Sequence, residues 1–171
     1  MAVDIDIYTL DLDESALDLV NLLDGVLSRV VALFESYGVP VPRRRYWTMT
    51  TPAIDCEQLV VSFTQMYLGP PGDEASTPQR CNQPRTAVME IMVTRAIPVV
   101  GQNGQVPSAD KIEKASRISA VDAWVLMHSL NLLDQWDDAG LYGPGVIATV
   151  SSGEVSGGFQ SILMQITMAV P

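Results

Sequence analysis

The sequence is poor in the residues that most often build metal and catalytic sites. It holds one histidine, His128, and two cysteines, Cys56 and Cys81, among 171 residues. Neither cysteine belongs to a Cys-x-x-Cys pair, and the histidine is distant from both in sequence, so the spacing disfavours a zinc site. No serine or cysteine lies in a recognisable nucleophile elbow. We therefore expect no catalytic residues, no metal and no cofactor, and we expect His128 to be a packed or solvated residue of a helix.

The two cysteines leave one question open. Cys56 precedes one predicted strand and Cys81 just precedes another, so antiparallel pairing of these strands would bring the thiols close enough for a disulfide. Reduced thiols are the favoured interpretation, because the cytosol opposes disulfide formation.

Basic residues are also scarce. Ten Lys and Arg oppose twenty Asp and Glu, which gives a net charge of -10 and an isoelectric point near 4.3. Binding to a phosphate backbone needs clustered cations, so the composition points away from nucleic acid. One run of arginines, residues 43–45, is followed by Tyr46 and Trp47, and such a combination can stack on nucleic acid. In so acidic a chain we expect these arginines to meet carboxylates, within the chain or on another subunit.

Long apolar runs are missing too. None approaches the roughly 20 residues that span a bilayer, and the acidic N-terminus lacks the pattern of a signal peptide. We expect a protein made in a cytoplasm with no membrane contact. The hydrophobic content of 47% against 18% charged residues excludes general disorder, and the length predicts a single domain over residues 1–171.

Two segments have helical periodicity. After Asp13, apolar residues recur at three- and four-residue spacing as far as Phe34, and Gly38 with Pro40 ends the helix. Leu22 and Leu33 broaden this stripe, which predicts a helix buried on two sides or in contact with another subunit. The second helix begins after Ser108 and ends at residues 137–140. Its predicted buried stripe is Ile112, Ala115, Ile118, Val121, Val125 and Leu132, widened by Trp124, Met127 and Trp136.

Five segments have strand character. Residues 46–51 are aromatic and β-branched; residues 58–68 and 85–95 form two central strands; residues 145–152 and 159–170 form a closing pair around a glycine-rich hairpin turn. Residues 1–12 are predicted to be an extended arm or strand. The order predicts an α+β fold: a mainly antiparallel sheet of four to five strands with two main helices packed on it. The loop at residues 69–84 is long enough to suggest a function.

This order resembles that of the tail terminator proteins of long-tailed, siphovirus-type bacteriophages, especially those infecting actinobacteria. The resemblance is carried by the helix leading to residues 37–42 (Tyr-Gly-Val-Pro-Val-Pro), by residues 56–63 (Cys-Glu-Gln-Leu-Val-Val-Ser-Phe) and by the Gly-Pro-Pro-Gly at 69–72. The strand at 87–95 before Pro98 and the helix led by Ser108 complete it. It covers most of the chain as loose patterns.

The resemblance implies a non-enzymatic virion protein at the junction of tail and neck. Such proteins form a ring, typically a hexamer, that caps the tail tube, stops its polymerisation and joins the head-neck connector, while DNA passes through the lumen without specific binding. The candidates for subunit or partner contact come from this sequence alone. They are the broad first helix, Arg43, Arg44, Arg45, Tyr46 and Trp47, and the loop residues Pro70, Pro71, Asp73, Glu74 and Arg80.

Two other interpretations remain open at this stage. A head-completion or neck connector protein of the same assembly would share the acidic charge and the small α+β build. A small enzyme or ligand-binding domain, with His128 and nearby acids as its site, is the alternative of a different class.

Overall fold

The protein is a five-stranded mixed sheet with two helices. A computed structural model describes residues 14–72, 85–101, 103–133 and 146–170. The elements, in chain order, are α1 (Glu14–Ser36), β1 (Arg44–Thr48), β2 (Gln58–Leu68), β3 (Arg85–Ala96), α2 (Ala109–Leu133), β4 (Val146–Ser156) and β5 (Phe159–Val170).

The predicted α+β fold is confirmed, including the two helices and the strand count. The strands lie in the order β1-β2-β3-β5-β4, and every neighbouring pair is antiparallel except β1 with β2, which is parallel. The predicted central strands match β2 and β3 to within a residue, and β4 continues four residues beyond the predicted end at Ser152. The expected arm at residues 1–12 lies outside the described residues.

The turn of the C-terminal hairpin depends on two glycines. Ser156 pairs with Phe159 around a two-residue turn in which Gly157 and Gly158 have φ values of 56° and 85°. Two consecutive positive φ angles are the requirement of the tight hairpin turn that matches strand twist. The segment is therefore a hairpin turn, as its sequence predicted.

Both helices cover the same face of the sheet. Alternate residues of the three central strands point to this face and form the core with α1: Leu59, Val61, Ala87, Met89, Ile91, Val93, Ile162, Met164, Ile166 and Met168. A β-bulge between Phe63 and Gln65 shifts the alternation near the end of β2. The opposite face is mixed, as predicted, with residues such as Glu90, Gln165 and Thr167.

The first helix ends where the sequence predicted, and the residues of its apolar stripe are buried or partly buried. Val39 N–H donates to Phe34 O at 2.9 Å and Gly38 N–H donates to Glu35 O at 3.0 Å, with Gly38 at φ 66°. These two bonds satisfy carbonyls that the helix end would otherwise leave unpaired. Leu22 and Leu33, which broadened the predicted stripe, are 3% and 6% exposed. Leu22 and Leu33 are thus buried within one chain, whereas Leu19, Leu27 and Val31 of the stripe are only partly buried.

The second helix corrects the sequence prediction. Among the α2 side chains that the structure describes, the buried positions are Ser119, Asp122, Val125, Leu126 and Ser129. Val125 of the predicted stripe is thus buried as expected, and the side chains of Leu132 and Trp136 lie outside the described part. Of the predicted stripe, Ile112, Ile118, Val121, Trp124 and Met127 are all between 43% and 48% exposed. Hydrogen bonds explain the exchange: Arg95 of β3 pairs with Asp122, Ser119 Oγ lies 3.3 Å from Gln160 Oε1, and Ser129 Oγ donates to Leu126 O at 2.6 Å. Buried polar groups with partners of this kind are stable, and they turn the apolar side of α2 outward.

Candidate functional site

The arginine-rich strand β1 is an edge strand, and it is held mainly by its own chain. Arg43, Arg44 and Arg45 are exposed, whereas Tyr46 and Trp47 are partly buried. Arg45 Nη1 lies 3.9 Å from Glu35 Oε1, and Trp47 Nε1 donates to Asp24 Oδ1 at 2.7 Å. Both partners belong to α1, so these side chains fasten β1 to the helix.

Arg44 lies on the other face of the sheet in a small polar cluster. Its Nη1 donates to Asp55 Oδ1 at 2.9 Å and to Cys56 Sγ at 3.3 Å, and its guanidinium lies 5.2 Å from the centre of the Tyr46 ring. The Cys56 thiol first, and then the positive charge of Arg44, lower the pKa of Asp55 below its usual value. The expectation that the arginines meet carboxylates is confirmed for Arg44 and Arg45 within the chain.

Cys56 is a free thiol in this structure. The second cysteine, Cys81, lies outside the described residues.

The other predicted contact residues lie at the opposite end of β2. Arg44 pairs with Gln58, the first residue of β2, whereas Pro70 and Pro71 follow its last residue, Leu68. Ten residue steps along a strand are about 33 Å. The two predicted groups are therefore not brought together, and Asp73, Glu74 and Arg80 lie outside the described residues.

The described start of this loop folds back over the sheet. Thr86 Oγ1 donates to Gly69 O, and a Cβ placed on Gly72 would be 2.9 Å from Ile147 Cδ1 of β4. Because β4 is three strands away from β2 in the sheet, residues 69–72 cross the face that the helices leave uncovered.

One concave feature that the described residues form was not predicted from the sequence. A groove of about 760 Å³ lies beneath the first turns of α2, between residues 38–40, which follow α1, and residues 95–98, at the end of β3 and just beyond it. We call this feature the α2 groove. Apolar groups such as Val39, Ile97, Ile118 and Val121 form much of its lining.

The α2 groove gathers cations in a strongly acidic chain. Arg95, Lys111, Lys114 and Arg117 all line it, which are four of the ten basic residues and both lysines of the sequence. Arg95 is paired with Asp122, and Arg117 with Glu113. Neither lysine forms an ion pair in the described part of the chain. One further acid, Glu57, lines the groove and accepts a hydrogen bond from Ala96 N–H at 3.2 Å. This cluster of cations could not be predicted from the sequence, because Arg95 lies on β3 and the other three lie on α2.

An exposed aromatic cluster continues the groove along α2. The Trp124 and His128 rings stack with centroids 4.0 Å apart, and the Tyr37 ring meets Trp124 edge-on at 4.8 Å. Ile118, Val121, Trp124 and Met127 follow at three-residue spacing, and we call this set the α2 stripe. His128, predicted to be a packed or solvated residue, is half-buried in this stack.

This region combines apolar surface with charged side chains. Among the described residues, no three His, Cys, Asp or Glu side chains are grouped so that they could hold a metal ion. Asp122 is the buried acid of α2 that precedes His128. Its carboxylate is already paired with the Arg95 guanidinium. An apolar floor beside two lysines that have no ion pair among the described residues suits a partner that combines apolar and acidic groups.

Within the described helices, no segment is long and apolar enough to cross a membrane. Comparison with known proteins adds no relative: neither a protein-family model nor a curated protein matches this chain.

Proposed function

We propose that this protein is a structural subunit that assembles into a ring of the tail terminator kind. In this role it caps the tube of a phage tail and joins it to the head-neck connector. The observation that carries the proposal is the α2 stripe, whose large apolar side chains are nearly half exposed on a well-formed helix. Contiguous apolar surface of this kind marks an interface with another protein.

The form of the subunit supports the same role. A closed ring needs two different surfaces on each subunit that fit each other. The α2 stripe lies on the helical side, whereas the exposed arginines of β1 lie at an edge of the sheet, so they are two different surfaces, which adjoin where residues 38–40 line the groove. The resemblance of the sequence to tail terminators gives the ring its place in the virion. The net charge of -10 suits a lumen through which DNA passes, because like charges repel.

The oligomeric state tests the ring directly. Mass photometry of the purified protein, alone and mixed with tail tubes, should show a closed species, for a hexamer about six times the 18.6-kDa chain mass. Val121→Asp places a charge in the α2 stripe and should abolish the ring. Val155→Asp is the matched control, because Val155 is 61% exposed on β4, outside the stripe. A chain that stays monomeric both alone and on tubes would refute the proposal.

Pull-down distinguishes the two positions within a virion. A tail terminator should retain the tail tube protein, whereas a neck connector should retain the portal-side protein and not the tube. Electron microscopy of capped tubes would then show density at the head-proximal end.

A ligand-binding domain is the second candidate, and the α2 groove favours it. Its volume of about 760 Å³ falls within the roughly 300–1,000 Å³ of small-molecule sites. An acidic amphiphile such as a fatty acid would fit the apolar floor and the lysine rim. A thermal shift with fatty acids that Lys111→Glu removes, from a protein that forms no rings, would favour this candidate.

A further inference from the structure

The N-terminal sequence combines acidic and apolar residues, which complement the lysines and the apolar lining of the α2 groove. Residues 4–13 read Asp-Ile-Asp-Ile-Tyr-Thr-Leu-Asp-Leu-Asp, with four acids, no base and alternating apolar residues in each half. In an extended conformation, alternate side chains point to opposite sides. Within residues 4–7 the isoleucines point to one side and the acids to the other. Within residues 10–13 the two sides are exchanged, so the leucines share a side with Asp4 and Asp6.

We infer that residues 4–13 of one copy of the chain bind in the α2 groove of a second copy. Ile5 and Ile7 lie on the apolar floor beside Ile118 and Val121, with Asp4 and Asp6 on the opposite side of the segment. Its aspartates meet Lys111 and Lys114, the two groove cations that have no ion pair among the described residues. Charge complementarity favours this occupant, since the segment holds four aspartates and no base, and the groove holds two lysines.

Distance prevents most of residues 4–13 from reaching the α2 groove of their own chain. α1 runs for 23 residues from Glu14, and residues 38–40 just after its other end line the groove. At 1.5 Å per residue, the groove lies about 33 Å from the start of the helix. A fully extended chain gains at most about 3.5 Å per residue, so residue 8 reaches about 21 Å from Glu14. The segment must therefore bind to a neighbouring copy.

The resulting contact is head-to-tail. Each copy gives its segment to one neighbour and receives a segment from the other, which is the arrangement that generates rings. The inference identifies a contact between subunits of the proposed ring. It rests on the proposed function only for the closing of these contacts into a ring. The contact itself requires no tail tube.

A complementation experiment tests the contact with full-length and truncated chains. One variant lacks residues 2–12 and keeps the groove; the other keeps the segment and carries Lys111→Glu, Lys114→Glu and Val121→Asp. Each variant alone should be monomeric by mass photometry, and an equimolar mixture should form a dimer. A mixture with no dimer would overturn the inference, and so would the truncated chain forming rings by itself.

A peptide experiment gives an independent readout. A labelled peptide of residues 3–14 should bind the truncated protein, as measured by fluorescence anisotropy, and a scrambled peptide that separates acids from apolar residues should bind at least tenfold more weakly. Lys111→Glu with Lys114→Glu should weaken the peptide tenfold or more, and a peptide with its aspartates replaced by lysines should recover binding to that variant. Equal binding of native and scrambled peptides, or no effect of the lysine changes, would contradict the inference.

The outcomes separate this inference from the proposed function. Rings that persist without residues 2–12 refute the segment contact and leave the ring proposal standing. A mixed dimer from a protein that never caps tail tubes supports the contact and refutes the tail role.

Discussion

Arg95 and Asp122 join the sheet to the second helix. The guanidinium of Arg95 donates from Nε to Asp122 Oδ2 and from Nη2 to Asp122 Oδ1, both at 2.8 Å. Nη2 also donates to Pro40 O at 2.7 Å, in the segment that follows α1. The Asp122 side chain is fully buried and that of Arg95 is 11% exposed. This pair sets which side of α2 faces the sheet, and thereby which side remains exposed.

The first prediction concerns that pair. Asp122→Ala should lower the free energy of unfolding by about 3–5 kcal/mol, because it leaves a nearly buried guanidinium without its counter-charge. Urea denaturation followed by circular dichroism measures the change. Glu113→Ala is the control: it breaks the exposed pair with Arg117 and should cost about 0.5 kcal/mol or less. Equal costs for the two variants would show that the buried pair does not hold α2.

Two glycines near α1 should respond to alanine in opposite directions. Gly25 lies inside the helix and a Cβ there would meet nothing within 4 Å, so Gly25→Ala should stabilise the fold by about 0.5–1 kcal/mol. Gly38 has φ 66° at the helix end, so Gly38→Ala should destabilise it by about 1–2 kcal/mol. Thermal melts of both variants test the pair, and a shift of the same sign in both would contradict the assigned conformations.

The pKa of Asp55 predicts a local response to acid. Because its folded-state pKa is lowered, the ionised carboxylate stabilises the fold above the ordinary value of 3.8, and that contribution is lost as the pH falls through the lowered pKa. A carbon NMR titration should place the Asp55 midpoint below 3.8. Cys56→Ala and Arg44→Gln should each raise that midpoint, since the thiol and the guanidinium both lower the pKa of Asp55. A wild-type midpoint at or above 3.8 would refute the cluster.

The loop after β2 should divide into a structural start and a removable tip. Replacing residues 73–84 with a short Gly-Ser linker should leave the thermal midpoint nearly unchanged while impairing ring assembly. Residues 69–72 must be kept, because Thr86 donates to Gly69 and Gly72 contacts Ile147. Gly72→Val is the contrasting variant, expected to destabilise the fold, since it has φ 93° and would clash with Ile147. Normal assembly after the replacement would show that the tip is a spacer.

The accuracy of the sequence prediction differs between the two helices for a physical reason. In α1 the apolar residues Leu23, Val26, Val30 and Phe34 are all buried, so periodicity located both the helix and its packed side. In α2 the periodicity located the helix but not its orientation. Ser119, Asp122 and Ser129 are buried because each has a hydrogen-bond partner, and for Ser119 and Asp122 that partner lies on a strand. Such partners come from elsewhere in the chain, so the pattern within the helix cannot reveal them.

Local chemistry in the sequence was sufficient to define the elements. Alternation fixed the central strands, Gly38 and the Gly157–Gly158 turn fixed two chain reversals, and the acidic composition disfavoured a nucleic-acid site. The tertiary structure decided what those elements leave exposed. It placed β1 parallel beside β2, gathered Arg95 with Lys111 and Lys114 around one groove, and turned Val121 and Trp124 outward. These relations depend on residues far apart in sequence, and only the packing of α2 on the sheet brings them together.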